Sequence, residues 1–330
     1  MTSYKKSKEE FSRDVYEAFQ AIAVTSDWIR RRRHKHLLHE TLETISNGLD
    51  GIPSPIFFVG SQVEGSTTIG MGSDTDRVCL QDDVRVVLKL GDWQTGKKNM
   101  LAFKDETTPP QFYKLCRLQQ TPDGRRQEYS RYPVHETDVV DELGRVVVSN
   151  RIFDNDVKTH LGQQRVVKHG PAKSWTDELD FVFAFPSNDF PEECEFLFTR
   201  SRPGQWPKPE TLEYARKCRM FFIPQGHPHT PLSERTLQWR LSTSLTERKL
   251  MFDFTDEQML VYILLKMLKK EYVQPKFDNN FSTFHIKTAV MFSIQKHPPV
   301  IWRNLLYRHS HSVGTRKCLS SFHHGWSKPV

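Results

Sequence analysis

Cysteine is sparse in this sequence and shows no ordered pattern. The five cysteines, Cys79, Cys116, Cys194, Cys218 and Cys318, are scattered and odd in number, and none forms a CxxC pair. This excludes a disulfide framework and the usual structural zinc spacings, so free thiols are expected. Long apolar runs are also missing. The longest, around Met259 to Leu265, is interrupted by Lys266, far short of the roughly 20 residues that span a bilayer. The opening MTSYKKSKEE is polar and charged, unlike a secretory leader. No membrane partner is expected, and the expected compartment is the cytoplasm, with the nucleus as the alternative. The chain lacks internal repeats and long low-complexity linkers.

Charge of one sign is scarce over most of the length. The formal net charge is +7, a sign that suits polyanionic partners. Yet seven Lys or Arg residues and no acid follow Asp278, so the chain before that point is near neutral. Local clusters therefore carry more information than the total.

The 330 residues leave room for one large domain or two lobes with a substantial core. Residues Lys8 to Leu49 read as one or two helices, with apolar positions at Phe11, Val15, Phe19, Ile22, Trp28, Leu37, Leu42 and Ile45. Gly48 and Gly51-Ile-Pro53 stop them. Strand-like runs follow at Ile56–Val59, Thr75–Leu80, Val84–Leu90, Arg145–Ile152 and Leu179–Phe185. Helical patterns return at Thr211–Cys218, Leu245–Phe252, Asp256–Tyr272 and Thr283–Gln295. The order predicts an α+β fold: a long N-terminal helix, a mixed sheet, then a helical lobe.

Asp74 and Asp76 stand two apart at the head of a predicted strand, so their carboxylates share a face. Like charges that close repel, and a divalent cation relieves the repulsion. Asp180 heads a second strand, whose Leu179, Phe181, Phe183 and Phe185 alternate onto the opposite, apolar face. Phosphoryl transfer by two metals needs such a pair plus a third carboxylate. Acid pairs at strand ends are common, however. What separates this one is Gly60-Ser61 at the end of the short strand before it. A glycine admits close backbone approach, and a serine hydroxyl with neighbouring N–H groups suits a triphosphate. Gly-Ser, a dozen or so residues, Asp-x-Asp and a distant strand acid form the nucleotidyltransferase pattern.

Three further segments are Trp239-Arg-Leu-Ser242-Thr-Ser244-Leu-Thr-Glu247, Leu264-Leu-Lys266 and Phe281-Ser-Thr-Phe-His-Ile-Lys287-Thr. Together with Gly60-Ser61 and Asp74/Asp76 they resemble the male-abnormal-21 domain, the superfamily of cyclic GMP-AMP synthase (cGAS) and animal cGAS-like receptors. The likeness runs over roughly residues 8 to 305. It implies a nucleotidyltransferase fold, residues 1–210 forming the core with its N-terminal spine helix and 211–330 the helical lobe with an irregular basic tail. It further implies an enzyme that joins ATP and GTP, or other nucleoside triphosphates, into a cyclic dinucleotide in innate immune sensing, switched on by double-stranded nucleic acid. By that resemblance Asp74, Asp76 and Asp180 hold catalytic Mg2+ or Mn2+, Gly60 and Ser61 hold the donor triphosphate, and Arg240, Ser242, Ser244 and Glu247 form the acceptor segment. Lys266 contacts phosphate, and Thr283 and Phe284 fall beside the donor base, Phe284 keeping a stacking face without a hydroxyl. A zinc-binding insertion has no counterpart here. No zinc is therefore expected, and double-stranded RNA is favoured over DNA as activator.

Other readings accompany these. Ser244-Leu-Thr-Glu247 also fits a capping box. Lys266 also fits a solvated helix face, and Phe284 also fits core. Arg77, next to Asp76, either faces away or competes with metal for that acid. His309, His311, Cys318 and His323 lie in a basic tail that departs from the resembled family's closing helices. Members of that superfamily without catalysis exist, so a silent nucleic-acid- or protein-binding module is the alternative function.

The densest positive cluster is Arg30-Arg-Arg-Arg33-His-Lys35. Consecutive helical residues fan around the axis, so only some can meet one ligand. Arg30 with Arg33, or Arg31 with Lys35, share a face. Arg30, Arg31, Arg33 and Lys35 are the expected duplex contacts, to phosphate rather than to bases. A solvated helix face is the simpler reading.

Overall fold

The computed structural model describes residues 8–22, 24–51, 54–68, 71–154, 167–176, 179–277 and 281–302. The fold is α+β, with a long N-terminal helix and a twisted mixed sheet. The N-terminal region forms two helices, α1 (Lys8–Ala21) and α2 (Ser26–Leu49). Thr25 separates them because its hydroxyl accepts from the Trp28 N–H and caps α2.

The strands are β1 (Ile56–Val59), β2 (Thr75–Leu80), β3 (Val84–Val87), β4 (Lys98–Phe103), β5 (Phe112–Gln120), β6 (Gln127–Tyr129), β7 (Val139–Val140), β8 (Val146–Val147), β9 (Val167–His169), β10 (Ala172–Thr176), β11 (Leu179–Ser187), β12 (Met220–Ile223) and β13 (Gln238–Ser242). The main sheet runs in the order β1-β2-β11-β12-β13-β5-β4-β3. Between β1 and β2 lies the five-residue helix α3 (Gly60–Glu64). The later helices that matter here are α4 (Pro209–Lys217), α5 (Ser244–Phe252), α6 (Asp256–Leu268) and α7 (Thr283–Lys296). Helix α6 is started by a capping box of Thr255 with Gln258, and α7 by one of Ser282 with His285. Regular α-helix ends at Leu268, and the turns to Val273 widen into a π-helix.

Strands β1 and β2 match the predicted bounds, and β11 runs two residues further than predicted. The runs Val84–Leu90 and Arg145–Ile152 pair only over Val84–Val87 and Val146–Val147. Strands β4, β5, β12 and β13 lie outside the predicted runs; β12, for one, is apolar throughout, and a short apolar run carries no period that separates strand from buried helix.

The expected division at residue 210 is not a seam. Strands β12 and β13 sit inside the main sheet, filling the gap between β11 and β5. Conversely, Phe19, Val24 and Ile29 from the N-terminal helices share a core with Met259, Tyr262, Ile263, Ile286, Val290 and Ile294 from the late helices. Both faces of the central strands are covered. Phe185, Phe222 and Trp239 pack on one face, and Val78, Leu80, Ala184, Phe221 and Ile223 on the other. The acids therefore stand at one end of a sheet buried on both sides, where backbone position is rigidly held.

Candidate metal centre and nucleotide site

Strands β2 and β11 pair in parallel, with Asp180 beside Asp76 in register. Parallel neighbours in register project onto the same face, so the pairing itself sets the two carboxylates side by side. Asp74 lies just ahead of β2 and joins them. One carboxylate oxygen from each of Asp74, Asp76 and Asp180 lies within 4.8 Å of the others. On the far side of β11, Ser174 of β10 donates its hydroxyl hydrogen bond to Asp180 Oδ1 and orients that carboxylate.

Gly60, the first residue of α3, closes the site. Its φ is +77°, a region open chiefly to glycine, and a Cβ there would lie 2.1 Å from Asp76 Oδ2. The Asp76 carboxylate thus rests directly on backbone. Burial, then Asp74, Asp180 and Glu64, push the Asp76 carboxyl up to about 7, with Lys287 acting weakly the other way. A carboxyl held that high by burial and like charges is the setting that a hard divalent cation relieves, and an all-oxygen donor set suits Mg2+ or Mn2+. The residues fit such an ion.

Arg77 does not compete. Alternation along β2 turns it to the opposite face, where its guanidinium pairs with Glu43 of α2 at 2.8 Å and lies over the rings of Phe58 and Phe181.

Ser61 and Lys266 meet. Lys266 Nζ donates to Ser61 Oγ at 3.1 Å and to the Ser66 carbonyl at 2.8 Å. Lys266 is only 2% exposed, so it is not the solvated lysine that helix position alone allowed. Burial lowers its ammonium to about 8, against the pull of Glu64. A lysine so placed beside a serine hydroxyl offers charge and hydrogen bonds to an entering phosphate.

The residues expected to form the acceptor segment lie on two consecutive elements. Arg240 is on β13, Ser242 ends that strand, and Ser244 and Glu247 lie in the first turn of α5. Ser242 Oγ donates to Ser244 Oγ at 3.1 Å. The capping box is not formed: Thr243 holds the N-cap position and makes no side-chain cap bond, while Glu247 turns to Lys287 at 3.6 Å. Burial raises the Glu247 carboxyl and lowers the Arg240 guanidinium. The Arg240 Nε is buried without a hydrogen-bond partner, a polar group left for something else to satisfy.

Thr283 and Phe284 open α7 at the surface. Phe284 is 58% exposed, so it is not core, and its ring face is available for stacking.

The basic cluster splits. Arg30, Arg31 and Lys35 are exposed, with Arg30 and Arg31 near Asp27 at 3.9 and 2.7 Å. Arg33 departs from the expected duplex face. Its Nε donates to the Glu64 carbonyl at 2.9 Å, its Nη2 donates to the Met251 carbonyl at 3.1 Å, and its guanidinium lies over Phe252. Arg32 likewise turns inward to the Thr67 carbonyl. The helix docks one side on α3 and α5, and position 33 falls on that side.

Glu64 received no role from the sequence, and Lys287 is named there only as part of the Phe281-to-Thr288 segment, without a partner. Glu64 ends α3 at 2% exposure, and Lys287 Nζ lies 2.7 Å from its Oε1. Nothing local marks the pair, which is separated by most of the chain. Cys79, Cys116, Cys194 and Cys218 are free thiols, as expected, while His309, His311, Cys318 and His323 lie outside the described residues. Among the described residues no helix is long and apolar enough to cross a membrane. Compared with known proteins, the chain matches no family model and no curated protein.

Proposed function

We propose that this protein is a divalent-cation-dependent nucleotidyltransferase that joins ATP and GTP, or related nucleoside triphosphates, into a cyclic dinucleotide. The observation that carries the reading is the in-register pairing of Asp180 with Asp76, which brings three carboxylates together above a glycine that has no room for a side chain.

Asp74, Asp76 and Asp180 would hold the cation. When bound, Mg2+ or Mn2+ supplies charge stabilisation to the phosphoryl group in flight and acidifies the acceptor hydroxyl. Ser61 and Lys266 orient the donor triphosphate. Arg240, Ser242, Ser244 and Glu247 orient the acceptor, and Phe284 offers a face to the donor base. Attack of the acceptor ribose hydroxyl on the donor α-phosphate releases pyrophosphate, and a second transfer closes the ring. Double-stranded RNA is the proposed activator, contacting Arg30, Arg31 and Lys35 on the outer face of α2. Exposed cations of this kind read backbone phosphates rather than sequence.

The test is purified protein incubated with the four labelled triphosphates, Mg2+ and duplex RNA or DNA, set against Asp74→Asn/Asp76→Asn. Product is expected from the wild type and is expected to fall by about a thousandfold or more in the variant. The melting temperature should hold or rise, because two repelling charges are gone. Undiminished turnover in the double variant rejects the site. Resistance of the product to phosphatase distinguishes a cyclic dinucleotide from a linear oligomer.

A further inference from the structure

A second group of charges lies behind Gly60 and Ser61. Glu64 ends α3, Glu247 faces in from α5, and Lys287 reaches both from α7. Lys287 Nζ is 2.7 Å from Glu64 Oε1 and 3.6 Å from Glu247 Oε2, and its side chain is 13% exposed. The other Glu64 oxygen, Oε2, is buried without a hydrogen-bond partner. The short contact makes Glu64 the principal partner, and the longer one draws Glu247 toward the same ammonium.

We propose that Lys287 is a positioning residue, one buried cation shared by Glu64 and Glu247 that sets the donor segment on α3 against the acceptor segment on α5. The proposal rests on the transfer reading above. Glu64 is one helical turn from Gly60 and Ser61, and Glu247 is one turn from Ser244, so each carboxylate reports the placement of the nucleotide segment beside it. Lys287 stands one turn beyond Thr283 and Phe284 on α7, a regular helix with its own capping box. A rigid mount, a short reach and poor solvent access make this pair stiff, where a surface pair would be loose. Burial works against the charge on Lys287, but Glu64 and Glu247 more than offset it and keep the ammonium protonated well above the usual lysine range.

A plain fold staple would use the same atoms, so the experiment must separate staple from positioner. Lys287→Met, Lys287→Arg and Glu64→Gln/Lys287→Met are compared in the full chain by melting temperature, kcat and KM for each nucleotide. Lys287→Met leaves Glu64 buried and uncompensated, and should lower the melting temperature by about 5–10 °C. Assayed below that temperature, its kcat should fall about 100-fold, with smaller changes in KM. Lys287→Arg keeps the charge and should stay within about tenfold of wild-type kcat. The double variant removes the closer and more deeply buried of the two orphaned carboxylates, Glu247 keeping its charge at the longer distance, so it should recover most of the melting temperature but not kcat. Recovery of both, or an unchanged kcat in Lys287→Met, overturns the positioning role. A wild-type chain that turns over none of the four triphosphates sinks the transfer reading and this role together, whereas an active wild type with an active double variant removes Lys287 alone.

Discussion

The two ends of α3 hold buried charge in opposite ways. At the N-terminal end, Asp76 packs on Gly60 among Asp74 and Asp180, and its carboxyl is driven up by burial and by those neighbours. At the C-terminal end, Glu64 is more deeply buried, at 2% exposure, and has Lys287 at 2.7 Å. The two arrangements sit at opposite ends of one five-residue helix. One cluster balances its charge with a lysine from the fold. The other is assembled from like charges and gains most from an ion supplied from outside. Stability alone does not favour three converging carboxylates, which is the ground for the proposed cation site at that end of α3.

The sharpest way to break the first end is Gly60→Ala. Its Cβ would overlap Asp76 Oδ2, and its φ of +77° would strain any L side chain. Mn2+ affinity, read by calorimetric titration, should fall about 100-fold, with transfer lost in parallel. An alanine variant that binds Mn2+ as the wild type does would detach Gly60 from the site.

The next effect is a linkage between proton and cation. The Asp76 carboxyl sits at about 7 in the fold against an ordinary 3.8. Between those values the native state binds the extra proton, so this group's contribution makes stability fall as pH rises from about 4 to about 7. A bound divalent cation takes the proton's place. Mg2+ should therefore raise the melting temperature by several degrees at pH 8 and by only about one degree at pH 6. Equal increments at both pH values would separate the ion from these carboxylates.

The smallest effects distinguish the two sides of α2, whose inner side fastens the C-terminal end of α3. Alanine at Arg30, Arg31 and Lys35 should weaken duplex RNA binding about tenfold and lower the log–log salt slope by about 2–3 in a filter-binding series. The melting temperature should stay within about 1 °C. Arg33→Ala should behave in the opposite way. It removes the Arg33 guanidinium from the Glu64 and Met251 carbonyls, so stability should fall by about 1–3 kcal/mol while duplex affinity holds. Reversed outcomes would place the ligand surface elsewhere.

Much of this arrangement is legible along the chain. The alternation in Leu179–Phe185 marks a strand, the i, i+2 spacing of Asp74 and Asp76 puts both acids on one face, and Gly60-Ser61 ends a short apolar strand. These are local signals, carried by period and by glycine's freedom at positive φ. The four arginines of α2 show where such reading stops. Their spacing limits which of them share a face, but which face docks depends on α3 and α5, and Arg33 lies on the docked side rather than the expected duplex side. The Ser244-x-x-Glu247 spacing is likewise ambiguous, because a capping box and a tertiary ion pair use the same residues, and Lys287 settles which one forms.

Residue order alone specified the chemical parts: an α+β chain, three acids at strand heads, a glycine-serine turn and a basic helix. Three-dimensional packing settled how they combine. It set Asp180 beside Asp76 through a parallel pairing across more than a hundred residues, drew β12 and β13 into the main sheet, and joined Glu64 to Lys287 from opposite parts of the chain. Periodicity encodes the direction of a side chain relative to its own backbone. Register between strands and the pairing of buried charges depend on which distant surfaces exclude water together, and no local pattern carries that information.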